Sequence, residues 1–266
     1  MLSPVWTRKA IGPLLRGESD PRFYHNLFNK LPDEIGGMKR LWLQCIARKE
    51  LEPDNLLAPI SLASGWRHVV VVFETEKDDF QRLNGWDEFL AKEIHAMTKD
   101  RWLRKVPEIA DIPVGIHVRR GDFAEPKSER ILRTTGLLRT PLSWFIKSLE
   151  IIRDTCGYLV RAYVVSDGTD KELESLLALQ NVKRVSSGSS IGDMLILSKA
   201  KVLIASASSS FSVWASFLGQ MPTVSYPGEH LSWFRLNNRK GYYVGELEPT
   251  SPPPLFIKQL KVLLGR

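Results

Sequence analysis

Between residues 112 and 227 the chain switches repeatedly between two periods. Short runs rich in β-branched residues, VGIHV (114–118), AYVVSD (162–167), VKRVS (182–186), KVLIAS (201–206) and PTVSYP (222–227), are separated by segments with helical spacing. Strand side chains alternate between two faces, whereas helical ones return every 3.6 residues, so neither pattern settles as the other. The intervening segments are SWFIKSLEIIRDTCG after Thr140-Pro141, DKELESLLALQ (170–180), IGDMLILSKA after Ser189-Ser190, and SSFSVWASFLG (209–219). Thr140 before Pro141 predicts a capping residue with proline at the first helical position, Ser189 or Ser190 predicts another cap, and Gly219 is placed as a stop. Short strands joined by helices imply an α/β fold with a doubly wound, mostly parallel sheet. In such sheets ligands sit beyond the carboxyl ends of the strands. His117, Arg119, Asp122, Ser166, Asp167 and Ser206 to Ser210 all fall at or just past a predicted strand end.

The first 110 residues carry less pattern. RHVVVVFE (67–74) reads as a buried strand, MKRLWLQCIARKEL (38–51) has helical spacing, and WDEFLAKEIHAMTKDRWLRK (86–105) reads as one long helix. Gly36-Gly37 fits either a tight turn approaching a ligand or a plain loop. Pro107 and Pro113 bracket a connection, so the expected division is a smaller α/β half, residues 1–110, and a second half, residues 111–266. At 266 residues the chain is long enough to bury a full core. No window approaches the roughly 18 apolar residues of a membrane span, and the first twenty residues lack the apolar run of a signal peptide. Two cysteines, Cys45 and Cys156, make neither a disulfide framework nor a metal cluster. The expectation is a cytoplasmic protein. The net charge of +7, from 37 basic and 30 acidic residues, suits phosphate-bearing ligands and equally suits nucleic acid or a membrane surface. Because the basic residues are spread along the chain, a solvated surface with one functional cluster is the preferred reading.

The stretch VGIHVRRGDF (114–123) holds that cluster. A buried strand does not run into two arginines and an aspartate without cause, since a buried charge stripped of its partner costs about 3–5 kcal/mol. Either the strand emerges into an anion site, or the charges lie on a solvated loop. Arginine suits the first role because its planar fork binds phosphate bidentately and stays charged. The turn Ser208-Ser209-Ser210-Phe211 runs from a strand into a helix, so its amides and hydroxyls can face an anion at a helix N-terminus. The plainer alternative is capping, which needs only one serine. Asp193 sits in a first helical turn, where a carboxylate is favourable in any case.

Three of these stretches carry a resemblance. HVRRGD (117–122) after a strand is similar to the His-x-Arg-Arg-x-Asp signature of GDP-fucose-dependent fucosyltransferases, a superfamily with α1,2-, α1,6- and protein O-fucosyltransferase branches. GDMLILSKAKVLIASASSSFSVWASFLG (192–219) resembles that superfamily's Asp, apolar helix, strand and Ser-Phe-Ser-x-Trp turn, and SDG (166–168) its acidic strand end. The matches span residues 113–227 in the same order.

The resemblance implies a GT-B-like architecture of two facing Rossmann-like halves, with GDP-fucose as donor substrate in the second half and a glycan acceptor on the first. It implies inverting transfer without a metal, no nucleic-acid partner and no membrane span. Arg119 then takes the phosphate role, and Arg120 either assists or anchors Asp122 or a backbone carbonyl. His117, Asp167, Ser208, Ser209, Ser210 and Phe211 line the nucleotide, and Asp193 accepts from the guanine ring. Glu125 is the first choice of base for the acceptor hydroxyl, with Asp122 as its orienting partner or alternative. One departure leaves donor sugar and acceptor open: Gly36-Gly37-Met38-Lys39 keeps the glycines of the superfamily's N-terminal element without its asparagine. A catalytically silent GDP-sugar-binding protein and a nucleic-acid-binding protein remain the alternatives.

Overall fold

The two periods of the sequence separate into strands and helices much as their patterns demand. The computed structural model describes residues 2, 24–51, 67–72, 80–104, 106, 111–121, 139–228, 238 and 240–265. On the N-terminal side lie helices α1 (Tyr24–Leu27) and α2 (Gly37–Ile46), strands β1 (Arg48–Leu51) and β2 (Val69–Val72), and helices α3 (Asp87–Met97) and α4 (Asp100–Leu103). Strands β1 and β2 pair in parallel as a separate small sheet. Then come β3 (Ile112–Val118), α5 (Leu142–Cys156), β4 (Ala162–Ser166), α6 (Glu174–Leu177), β5 (Val182–Arg184) and α7 (Ser190–Leu197). Strand β6 (Ala200–Ile204), helix α8 (Ser210–Gly219), β7 (Thr223–Ser225), β8 (Val244–Glu246) and α9 (Pro254–Leu264) complete the order.

The main sheet has the order β5-β4-β3-β6-β7-β8, and every pairing in it is parallel. The chain therefore starts in the middle at β3, builds outward to β5, then returns to β6 and builds the other way. The crevice between the ends of β3 and β6 is the topological switch point, where doubly wound sheets bind ligands. Helices α5 and α9 cover one face, where Trp144, Phe145, Leu149, Ile152, Phe256 and Leu260 pack on Val114, Ile116 and Val118. On the other face Leu195, Ile196, Leu197 and Ala215 of α7 and α8 pack with Leu27, Ile94, Trp102, Leu103 and Val106. Phe145 and Phe256 are fully buried, and each such side chain contributes about 1.5–3 kcal/mol through removal from water. Strand faces alternate, so with Ile116 and Val118 turned to α5, His117 points to the α7 and α8 layer.

Several expectations are corrected. The helical pattern of residues 38–51 ends at Ile46, because the Arg48 amide donates to His68 O (3.1 Å) and starts the ladder with β2. The valines of β2 are half-buried and Val72 is exposed, so this strand is an edge element and not core. The long helix of residues 86–105 breaks at Thr98-Lys99. There the amide of Asn29 donates to Met97 O (2.7 Å), Lys99 N donates to Leu27 O (3.0 Å), and Phe28 pairs antiparallel with Thr98. Residues 170–180 give only the short α6, since Glu172 accepts from both the amide and the hydroxyl of Thr169 and holds a turn. Ser189 is the N-cap of α7, accepting from Gly192 N at 3.1 Å. Thr140 does not cap α5; Pro141 is the N-cap residue, and the Thr140 hydroxyl accepts from Ala207 N instead (3.1 Å). Gly219 is the last helical residue of α8, and Gln220 takes the left-handed cap position. The sequence reading assigned neither strand β8 nor helix α9, although Pro254 in the first turn of PLFIKQLKVLL (254–264) is a helix-start signal.

Candidate functional site

At the switch point the ladder between β3 and β6 ends at Ile116 and Ile204, and the two backbones then diverge. Ser206 spans the gap. Its hydroxyl accepts from Arg119 N at 2.7 Å and donates to His117 O at 2.9 Å. Buried and bonded in both directions, Ser206 fixes the sheet end. Ser166 does the same between β3 and β4, donating to Val118 O (2.6 Å) and accepting from Gly168 N (3.0 Å).

Asp167 follows β4 and organises the paired arginines. Its Oδ1 accepts from Arg120 N at 2.7 Å, and its Oδ2 pairs with Arg119 Nη1 at 2.9 Å. Burial pushes its pKa up, but the Arg120 amide, the Arg119 guanidinium and the Gly121 amide together outweigh that and hold the carboxyl below the usual carboxylate range. Asp167 is therefore ionised and serves as the anchor of Arg119, whose side chain is 19% exposed at the crevice. Arg120 points elsewhere, as the alternation of an extended chain requires. It is buried, and its stem lies over Gly168, where an added Cβ would come within 2.8 Å of Arg120 Cγ. Its carbonyl accepts from Arg139 Nε (2.8 Å), and Arg139 pairs with Glu172 (3.1 Å). Arg184 closes the same loop, donating to Ser166 O (3.1 Å) and Gly168 O (2.7 Å).

His117 lies under α8. Its Nδ1 is 2.7 Å from Ser212 Oγ, and the Phe211 ring stacks on it with centroids 4.7 Å apart. Burial, with Asp167 opposing and Arg119 reinforcing, lowers its pKa to about 3, so the ring is neutral at physiological pH. The turn ahead of α8 is strained: Ser208 has φ 48°, a left-handed conformation that costs a non-glycine residue about 1–2 kcal/mol. Strain of this kind gathers at functional sites. Ser209 is the N-cap of α8 but makes no side-chain capping bond, so the plain capping role is not the one it takes. The first amides of α8 carry the partial positive charge of a helix N-terminus beside the crevice.

Asp193 lies in the first turn of α7 and folds back on the loop after β5. It accepts from the amide of Ser187 and from Ser186 Oγ (3.2 Å). Burial raises its pKa, opposed by the Ser187 amide, the hydroxyls of Ser187 and Ser186, and Arg184. The carboxylate thus holds its own loop as well as facing a helix N-terminus.

The structure brings His117, Arg119, Asp167 and the Ser208–Phe211 turn together at the switch point, with Asp193 on the β5 side. Asp122 and Glu125 lie outside the described residues. Sequence reasoning overlooked Ser212, Arg139 and Arg184 as supports, and read Ser166 only as a strand-end site residue. A hydroxyl between Phe211 and Val213 in a mostly apolar helix was the available signal for Ser212, since such a group needs a partner when buried. Among the described residues, no group of three or more His, Cys, Asp or Glu is placed to hold a metal, and no helix is long and apolar enough to cross a membrane.

Residues 74–229, which include the whole switch-point site, match the model of glycosyl transferase family 11. No curated protein matches the chain. Among solved structures, NodZ alpha-1,6-fucosyltransferase co-crystallised with GDP aligns over 80% of this chain and 83% of its own, at 15% identity and a TM-score of 0.45. POFUT1 in complex with GDP aligns over 52% and 49%, at 17% identity and 0.33. The UDP-GlcNAc 2-epimerase of Methanocaldococcus jannaschii, in complex with UDP-GlcNAc and UDP, aligns over 75% and 49%, at 13% identity and 0.41. The chain spans about half the length of the last two.

Proposed function

The chain belongs to glycosyl transferase family 11, and from that premise we propose that it moves fucose from GDP-fucose to a hydroxyl of a glycan acceptor. The observation that carries the reading is the placement of Arg119. A guanidinium anchored by an ionised Asp167 stands at the switch point, next to the N-terminus of α8 and its serine turn. Breaking the bond between the sugar's anomeric carbon and the diphosphate leaves charge on the phosphate oxygens. A fixed guanidinium and the first amides of a helix N-terminus stabilise that charge as it develops.

Transfer inverts the anomeric centre in this reading: the acceptor oxygen attacks opposite the departing diphosphate, and its proton passes to a carboxylate. Glu125, with Asp122 as orienting or alternative base, is the assigned acceptor of that proton. The donor occupies the side of residues 111–266 and the glycan the side of residues 1–110. Asp193 reads guanine N1 and N2 from the β5 rim. Positive charge is supplied by the protein without a metal ion.

The test is a donor-hydrolysis screen over GDP-fucose, GDP-mannose and UDP-sugars, followed by a glycan acceptor array. Release of GDP from GDP-fucose, accelerated by one class of glycan, is the expected result. Tight GDP binding with no turnover on any acceptor would leave a silent nucleotide-binding protein. Tight binding of short RNA that GDP does not displace would move the function to nucleic acid.

A further inference from the structure

One turn of helix holds His117 from two directions. Phe211 stacks on its ring with an interplanar angle of 29°, and the adjacent Ser212 reaches Nδ1 at 2.7 Å. Ser212 is fully buried, and a buried hydroxyl must place its proton on an acceptor. A helical serine often returns its proton to the carbonyl four residues earlier, as Ser148 does to Trp144 O at 2.8 Å. Ser212 makes no such bond among the described residues; its partner is Nδ1. The hydroxyl therefore donates and Nδ1 accepts. A neutral imidazole carries one N–H, and with Nδ1 accepting, that hydrogen sits on Nε2. The charged groups that act on the ring are Asp167 and Arg119, which oppose each other, so burial decides and the ring stays neutral.

We propose that Ser212 is a positioning residue that locks His117 in the Nε2–H tautomer. The ring then offers one uncharged hydrogen-bond donor to an oxygen of the nucleotide-sugar at the switch point. The second part rests on the donor-site reading above; the first does not. Two consequences follow. His117 is not the base that takes the acceptor's proton, because its only lone pair is engaged by Ser212. The donor geometry of His117 and the anion site of α8 are also coupled, since Phe211, Ser212 and the serine turn are contiguous.

The experiment is nitrogen-15 NMR of labelled histidine in the wild-type chain, Ser212→Ala and Ser212→Thr, with the His117 signals among the five histidines assigned by the His117→Gln variant. In the wild type, Nε2 should be protonated and Nδ1 not, with no titration from about pH 5 to 9. Ser212→Ala should release the tautomer to a mixture and weaken GDP by about tenfold, the loss of one oriented hydrogen bond. Ser212→Thr, which keeps the hydroxyl, should restore both. A protonated Nδ1 in the wild type, or a Ser212→Ala protein with unchanged tautomer and unchanged GDP affinity, would overturn the proposal. The assigned tautomer in a wild type that binds no GDP would support the lock and overturn the donor-site reading instead.

Discussion

Arg119 and Arg120 are neighbours in sequence with opposite surroundings, and that contrast sets the first expectations. Arg119 stands at the crevice against Asp167, while Arg120 is buried over Gly168 with its amide and carbonyl both engaged. Lysine at position 119 keeps the charge but loses the planar fork that can hold a carboxylate and a phosphate together. Arg119→Lys should lose about 2 kcal/mol or more of transition-state stabilisation, near the cost of one oxyanion donor. This is read as a fall of roughly thirtyfold in kcat/KM for GDP-fucose in a folded protein. Wild-type transfer by that variant would remove Arg119 from the phosphate. Asp193 poses a sharper choice, because it already holds the Ser186-Ser187 loop. If it also reads guanine, Asp193→Ala weakens GDP far more than UDP or ADP in parallel titrations; an equal loss for all three assigns it to the loop alone. Which residues belong to the crevice was legible from strand ends. How they divide between ligand and scaffold was not, because Ser206 and Asp167 reveal their scaffold roles only through partners 87 and 47 residues away.

At the scale of elements, strands were easier to read than helices. Buried parallel strands announce themselves as runs rich in β-branched residues, and β3, β4 and β6 do, whereas β5 (VKR) is a short strand with no buried residue. Helix lengths depended on partners that local spacing does not contain: α3 stops where the Leu27–Asn29 segment captures Met97 and Lys99, and α2 stops where β2 captures Arg48. The α7 and α8 pair shows how tightly the switch-point layer is built. An added Cβ on Gly219 would fall well inside van der Waals contact with Ser198 O and Met221 Cε. The methionine end can move, but the carbonyl belongs to the cap of α7. Gly219→Ala should therefore destabilise by about 1–3 kcal/mol, the usual cost of overpacking. Thermal unfolding monitored by circular dichroism measures it, and an unchanged Tm would show that α7 and α8 can separate freely. The sequence reading of Gly219 as a stop was near the right place for another reason: what the position requires is the absence of a side chain against a neighbouring helix.

For the whole molecule, strand order is the property that creates the site and the one that spacing along the chain conceals. Alternating strands and helices permit several orders; only the pairing of β3 with both β4 and β6 puts Arg119, Asp167 and the α8 turn around one crevice. In the proposed transfer, that convergence would set how charge is balanced. A diphosphate leaving group needs roughly two positive centres, from a metal ion or from the protein. Arg119 supplies a full charge, held in place by an ionised partner, and the N-terminus of α8 supplies about half a charge through its amides. Among the described residues, the carboxylate fixed beside them is Asp167, already committed to Arg119 and to the Arg120 amide. Drawing it onto a metal would release the guanidinium it anchors, so a metal would replace the arginine more readily than add to it. Initial rates of GDP release from GDP-fucose should accordingly stay within about twofold under excess EDTA, a barrier change of only ~0.4 kcal/mol. Loss of turnover on chelation, restored by manganese or magnesium, would require the diphosphate to be held by carboxylates elsewhere in the chain and would return Arg119 to a purely structural pair with Asp167.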